Sequence, residues 1–372
     1  MVAHQDGAVD VLRRAHGILL AAALASAAAV AEEAVLNIYN WADYIAPGTI
    51  ADFEEEFGIR VNYDTYDSTE IVEARLLAGK TGYDVVFHGY RYSARLIAVD
   101  VYQPLEMDRL PLRSNLDPWV MSVVAQYDPG NRFGVPFMWG TTGAAYNVDM
   151  VRQRLADAPI DGGRLLFDPQ VVAQLADCGV SLLDEPTDVI PMVLQYLGHD
   201  PNSLEPAHIA AAERQLKAVR PYIRYFSSAK MINDLPNGEI CVAMSWSGDY
   251  LAAANRAQEV GAPVNLDYAV PNTGSMLWFD AMFIPVDAPH PGNAHRFINY
   301  LLRPEVIAAI SNTTYYANAN QASRPFVLPE ITTNPLLYPR QQDAEKYDLG
   351  FIFGPKDERL RTRAWSRIKT GL

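Results

Sequence analysis

Basic residues are scarce in this chain. It carries 30 Lys+Arg against 44 Asp+Glu, a formal net charge of -14. A nucleic-acid binder needs a basic patch against phosphate, so the balance argues against that class. Cysteine is scarcer still. Cys178 and Cys241 are the only two, with no C-x-x-C and no Cys/His cluster, so neither thiol redox catalysis nor a thiolate zinc site is supported. No His stands at metal-ligand spacing to another, and no motif calls for a metal or a cofactor. Long apolar runs are also missing. The uncharged stretch from Gly17 to Ala31 falls short of the roughly 20 residues that span a bilayer as a helix. Enzyme signatures are absent as well: G-x-S-x-G, H-E-x-x-H, G-x-G-x-x-G and the phosphate loop do not occur. Paired carboxylates such as Asp184 and Asp188 leave a secreted hydrolase as an alternative, but a glycosidase reading rests on nothing else.

What is present begins with an address. Arg13 and Arg14 precede the apolar stretch, which closes on Ala29-Val30-Ala31, the small-x-small pattern of signal-peptide cleavage. Residues 1–31 therefore read as a cleavable signal peptide cut after Ala31, and the mature chain is expected to be soluble and exported. A buried N-terminal helix is the alternative. The leader's own charges cancel, so the negative field stays with the mature chain, where it concentrates cations. Export favours pairing of the two cysteines. Closing their loop of about 64 residues would stabilise the fold by roughly 4 kcal/mol in the chain-entropy view, with two buried free thiols as the alternative. At roughly 150 residues per domain, 372 residues suggest two domains, and 49% hydrophobic content excludes wholesale disorder.

Strands and helices alternate along the mature chain. Val35 to Tyr39 reads as a buried strand ending at Asn40-Trp41. Pro47-Gly48-Thr49 opens a helix with Ile50, Phe53 and Phe57 on one face, and Gly58 ends it. Ile59, Val61 and Tyr63 alternate as the next strand. The spacing of Ile71, Ala74, Leu77 and Ala78 predicts a helix over 67–78, and Tyr83 to Phe87 is a third apolar run. This order predicts a parallel sheet flanked by helices, whose ligands bind outside the carboxyl ends of the strands. Gly134 to Tyr146 is an extended segment suited to crossing between domains. Beyond it the rhythm restarts, with Val180 to Leu183, Ile240 to Met244 and Met276 to Ile284 strand-like, Thr187 to Leu197 helical, and a basic helical tail from Asp357.

An aromatic beside an acid recurs at the predicted strand ends: Trp41 with Asp43 and Tyr44, Trp246 with Asp249, and Trp278 with Asp280. A cation enclosed by protein loses hydration, which charge-assisted hydrogen bonds replace at about 1.5–3 kcal/mol each. An aromatic face over an ammonium adds roughly 0.5–2 kcal/mol. An alkyl diamine, with two ammonium heads on a methylene stem, suits this arrangement, whereas an anion site would show Arg, Lys or helix N-termini.

The run Leu36-Asn37-Ile38-Tyr39-Asn40-Trp41-Ala42-Asp43-Tyr44-Ile45 resembles the start of the bacterial periplasmic polyamine-binding proteins, the receptors of putrescine and spermidine ABC importers. The likeness continues through Thr81 to Val86, Pro136 to Gly143, Trp246-Ser247-Gly248-Asp249, Phe279-Asp280, Tyr315 to Asn320 and Arg361 to Trp365, nearest to the putrescine-receptor branch. It implies an α/β chain with the two-lobed type II periplasmic binding protein fold, each lobe a mainly parallel sheet flanked by helices, closing by a hinge. Lobe 1 is expected at 32–138 plus 279–324 and lobe 2 at 144–274 plus 330–372, with crossings at 139–143, 275–278 and 325–329. The resemblance implies a monomeric receptor in the periplasm that has no cofactor, catalyses nothing and hands polyamine to an inner-membrane ABC permease. Its implied ligand-binding residues are Trp41, Asp43, Tyr44, Gly89, Tyr92, Glu185, Asp188, Trp246, Asp249, Trp278, Asp280 and Tyr316, and it implies a Cys178–Cys241 disulfide.

This chain departs from the family pattern at His88-Gly89-Tyr90-Arg91-Tyr92, where a small-residue turn containing serine is usual. Gly89 replaces a ligand-contacting serine, and Ala42 stands where a hydroxyl residue is common. Arg91 brings a positive charge close to a cation site. It either points outward or pairs with an acid, or it faces the pocket, lowers diamine affinity and shifts the preferred ligand. A receptor of the same fold for a different cationic or amino ligand is therefore the first alternative. Trp278, in place of a phenylalanine, and Glu185, an extra acid that could meet a third amine, lean toward a longer polyamine.

Overall fold

β1 (Val35–Trp41), an apolar strand buried along most of its length, sits between two parallel neighbours. α1 (Thr49–Phe57) follows it, closed by Gly58 in the left-handed region with its N–H on the Glu54 carbonyl, and then β2 (Arg60–Tyr66). α2 (Thr69–Ala78) starts one residue after Ser68, whose hydroxyl accepts from the Ile71 N–H. The buried face of α2 is Thr69, Val72 and Leu76, while Ile71 and Leu77 are exposed. Apolar residues lie on both stripes of this helix, so spacing alone does not choose which one meets the sheet. β3 (Val85–Gly89) is wholly buried and runs straight into α3 (Tyr90–Ile97). The unusual segment His88 to Tyr92 is thus a strand-to-helix junction, not a turn of small residues.

The computed structural model describes residues 32–156, 159–339, 341–350 and 354–371. The signal-peptide reading of residues 1–31 lies outside them. Ala34 to Leu372 forms one compact unit. β4 (Gly134–Asn147) is its long central strand. β5 (Val180–Leu182), β6 (Ile223–Phe226), β7 (Val242–Trp246), β8 (Leu266–Ala269) and β9 (Ser275–Phe283) follow, and β10 (Ala317–Asn318) and β11 (Tyr347–Asp348) are short. Their order is β2-β1-β3-β9-β4-β7-β5-β6, with β8 and β10 on β4 and β11 on β9. The β1–β2 and β1–β3 pairs are parallel, as are β5–β6, β5–β7 and β9–β11, while β9 runs antiparallel to β3 and β4, and β4 antiparallel to β7, β8 and β10, so the sheet is mixed.

Two large apolar cores lie along this sheet. One gathers Phe53, Phe87, Phe137, Trp139 and Phe297, and the other Phe167, Val180, Val242 and Trp365. β4 serves both, since its first half pairs with β9 and its second half with β7 and β8. The Cys178–Cys241 disulfide joins the entries of β5 and β7, which also pair at Val180 and Val242. Two further helices shape the second core, α4 (Pro186–Tyr196) and α6 (Pro355–Thr370), while between them in sequence α5 (Ser247–Glu259) packs its Tyr250 against a smaller cluster around Ala243 and Tyr268. α6 pins Asp184 from outside, through Lys369 at 2.7 Å and the Trp365 indole N–H at 3.1 Å.

Candidate ligand-binding site

Strand register brings the site residues to one place. Gly89 pairs with Asp280, Gly140 with Trp278, and Thr142 with Trp246, so strand pairing sets the ends of β3 and β7 against the middles of β9 and β4. Trp278 and Asp280 lie within β9 and not at its end as expected, because β9 runs on antiparallel to β3 as far as Phe283. A Cβ on Gly89 would stand 2.9 Å from the Tyr92 ring and 3.4 Å from the Asp280 carboxylate. Glycine there lets both groups approach the strand end.

The aromatics enclose a cage. Trp278 meets Tyr316 edge-on with ring centres 5.2 Å apart and Trp246 at 6.4 Å, while Tyr44 stands edge-on to Tyr316 at 5.6 Å. Trp41 rests on Tyr66 at 4.4 Å, its backbone held by the buried Asn40 side chain. The indole N–H groups of Trp41 and Trp278 are buried without a protein partner. Asp43 is exposed, in the left-handed backbone region that a short polar side chain tolerates.

Asp249, in the first turn of α5, accepts one hydrogen bond, from the Tyr316 hydroxyl at 2.6 Å. Burial pushes its carboxyl up to about 7, with Tyr316 opposing and Asp43 adding to the rise. Burial likewise raises Asp280 to about 7, against the nearby Tyr44 hydroxyl and with help from Asp188. The Tyr44 hydroxyl lies near Asp280 without well-formed hydrogen-bond geometry. Both acids therefore hold charge that the protein leaves largely unmet, inside walls of indole and phenol. That is the environment in which an ammonium gains most.

Asp188 is different. Its Oδ2 accepts from the Trp246 indole at 2.8 Å and the Thr142 hydroxyl at 3.2 Å, and its Oδ1 faces Arg91 at 3.3 Å. Arg91, in the first turn of α3, reaches across to α4, where its Nη2 donates to the Thr187 carbonyl at 3.0 Å and to the Tyr92 hydroxyl at 2.9 Å. Tyr92 and Thr187 share a further hydrogen bond. Burial works against the arginine's charge, but Tyr92 and Asp188 hold it protonated. Of the two placements open from sequence, Arg91 pairs with an acid, and it does so within the site. Glu185, at the start of α4, is buried, and its Oε1 has no hydrogen-bond partner. Burial, then Glu70, Asp188 and Asp184, push it well above the carboxylate range.

Sequence reasoning missed Thr142 and Thr187, whose polar atoms complete the Asp188–Arg91 contact. Thr142 lies within the Pro136 to Gly143 run, and only its register against Trp246 separates it from its neighbours there. Among the described residues no group of His, Cys, Asp and Glu is arranged to hold a metal ion, and no helix is long and apolar enough to cross a membrane.

The sequence profile of the bacterial extracellular solute-binding proteins matches residues 48–339. The chain belongs to that family. It is 45% identical over 357 residues to the putrescine-binding periplasmic protein PotF of Escherichia coli K12, covering 95% of this chain and 96% of that one. It is 42% identical over 355 residues to the putrescine-binding periplasmic protein SpuD of Pseudomonas aeruginosa UCBPP-PA14, covering 95% and 97%. A solved structure described as a putative spermidine/putrescine ABC transporter from Listeria monocytogenes superposes with a TM-score of 0.81 at 29% identity, covering 90% of this chain and 98% of that one. The fold of this solute-binding protein is the two-lobed type II periplasmic architecture.

Proposed function

We propose that this chain is an exported receptor that captures a polyamine between two lobes and delivers it to an inner-membrane ABC permease. The carrying observation is the pair Asp249 and Asp280, two carboxylates held near 7 by burial inside a cage of Trp246, Trp278, Tyr44 and Tyr316. Relatives named as putrescine-binding periplasmic proteins at 45% and 42% identity support the same ligand class and the same compartment. The lobes are 32–138 plus 279–324 and 144–274 plus 330–372, and crossings at 139–143, 275–278 and 325–329 act as the hinge. The separate cores and the continuity of β4 between them support that division. The protein works as a monomer without a cofactor.

A binding role fits the acids better than a hydrolytic one. Asp184 is held by Lys369 and Asp188 by Arg91, so neither is free to act as acid or base. Thermal melts of the mature chain with putrescine, spermidine, spermine, agmatine and unrelated amino acids test the reading. A ligand at 100 times its dissociation constant adds about 2.7 kcal/mol. Stabilisation by polyamines and not by amino acids supports the receptor. No shift with any polyamine overturns it, and turnover of a model glycoside would put the hydrolase in its place.

A further inference from the structure

We propose that Arg91 is a resident cation of the cleft, standing where a third ligand amine would otherwise sit, so that this receptor selects diamines against longer polyamines. The inference rests on the polyamine reading above and names the ligand length.

The geometry is that of a built contact. Arg91 leaves α3, crosses to α4 and meets three acceptors there and beside it: the Asp188 carboxylate, the Thr187 carbonyl and the Tyr92 hydroxyl. Its guanidinium carbon lies 5.0 Å from the centre of the Tyr92 ring. The backbone opposite makes room for its stem, since a Cβ on Gly350 would fall 2.4 Å from the Arg91 Cδ. Acceptors plus an aromatic face are what an ammonium of the ligand would require, and the protein supplies the cation itself.

Counting charge around the aromatic cage then points to the ligand's length. Asp188 is answered by Arg91. Glu185 is buried with an unpartnered oxygen, and burial favours its uncharged form. Asp249 and Asp280 remain as the buried acids, and two ammonium groups balance them, while Asp43 beside Asp249 is exposed to solvent. A third ammonium would have to share the Asp188–Glu185 end with a guanidinium, two like charges in a site poorly screened by water. This reverses the lean toward a longer polyamine drawn from Trp278 and Glu185: the acid that might have met a third amine lies beside a cation already in place.

The test is calorimetric titration of putrescine and spermidine into the wild-type chain and into Arg91→Ala, with the ligand-free melts checking that each is folded. Wild type is expected to bind putrescine more tightly than spermidine, and Arg91→Ala to raise the spermidine-to-putrescine affinity ratio at least tenfold. A purely structural arginine would weaken both ligands together and leave the ratio alone. A ratio that rises less than tenfold overturns the proposal, as does a wild type that prefers spermidine. Should Arg91→Ala not fold, Arg91→Gln drops the charge while keeping most of the volume, and the same threshold applies. A wild type that binds no polyamine at all is the separate failure of the receptor reading.

Discussion

Asp188 and Asp249 occupy the same local position, each the third residue of a helix that leaves the sheet toward the cleft. At that position the helix N-terminus favours an acid in both cases. Their surroundings differ. Asp188 receives an indole N–H, a threonine hydroxyl and a guanidinium, whereas Asp249 receives one tyrosine hydroxyl and is pushed up to about 7 by burial. One carboxylate is thus tied into the scaffold, and the other, like Asp280, is left with few partners, which suits the cation-binding role proposed above. The helix start supplies the acid, and the strand ends packed against it decide what the acid is for.

Removing Asp188 should break this contrast hardest. Asp188→Asn leaves Arg91 without its principal counter-charge, and losing one partner of a buried pair costs about 3–5 kcal/mol. The low end is expected because Glu185 can ionise in its place. Denaturant unfolding of the ligand-free chain should show a loss of about 3 kcal/mol, and an unchanged midpoint would mean that the arginine does not depend on Asp188.

Asp249→Asn and Asp280→Asn should show the converse. Each removes a charge-assisted hydrogen bond of about 1.5–3 kcal/mol to the ligand, weakening putrescine by roughly 10- to 100-fold. Neither removes a charge the apo protein relies on, so at pH 8 the ligand-free melt should hold or rise. Titration and melts on the same samples check both halves. A destabilised apo protein would place these acids with Asp188 rather than opposite it.

How far the sequence foretold this division depends on the kind of contact involved. The strands carrying Trp41, Trp246 and Trp278 were legible because apolar runs bounded by turns are local patterns. Asp43, Asp249 and Asp280 each lie within three residues of an aromatic, a local pattern, whereas Asp188 and Glu185 came only with the family resemblance. The partner of Arg91 was not, since Asp188 is distant in sequence and the pair exists only after the sheet has set the positions of α3 and α4. The buried stripe of α2 escaped for a related reason. Ile71 and Leu77 are as apolar as Val72 and Leu76, and only the neighbouring sheet separates them.

The pH dependence should be smaller and opposite in sign for the empty and loaded protein. Asp249 and Asp280, raised to about 7 from an unfolded value near 4, bind protons in the native state that the unfolded chain has released. Their contribution to stability therefore falls as pH rises from about 4 to about 7, and the penalty is complete above that. Ammonium binding needs both ionised, so putrescine affinity should rise from pH 6 to pH 8, by at most about tenfold per pH unit for each acid. Buried His88, held down to about 3, contributes in the other direction below its unfolded value near 6.5. Subtracting the profile of the Asp249→Asn, Asp280→Asn double variant isolates the two acids. A difference profile flat from pH 6 to pH 8 would refute their assignment.

Glu185 gives the smallest effect and the finest test of the contrast. With its carboxyl pushed well above the ordinary range, burial favours its uncharged form, and Glu185→Gln keeps an uncharged group of similar shape there. In the wild-type background the change should cost less than about 0.5 kcal/mol in stability, the scale of a substitution without a named mechanism of damage. In the Arg91→Ala background the same substitution meets a different situation. There Asp188 faces the space left by the guanidinium, and an incoming ammonium, acting on Glu185 as Arg91 does, would favour its charged form. Glu185→Gln should then remove much of the spermidine affinity gained by Arg91→Ala, a non-additivity that a double-mutant cycle reads directly. Additive effects in that cycle would mean that the two acids and the arginine do not share one cation seat.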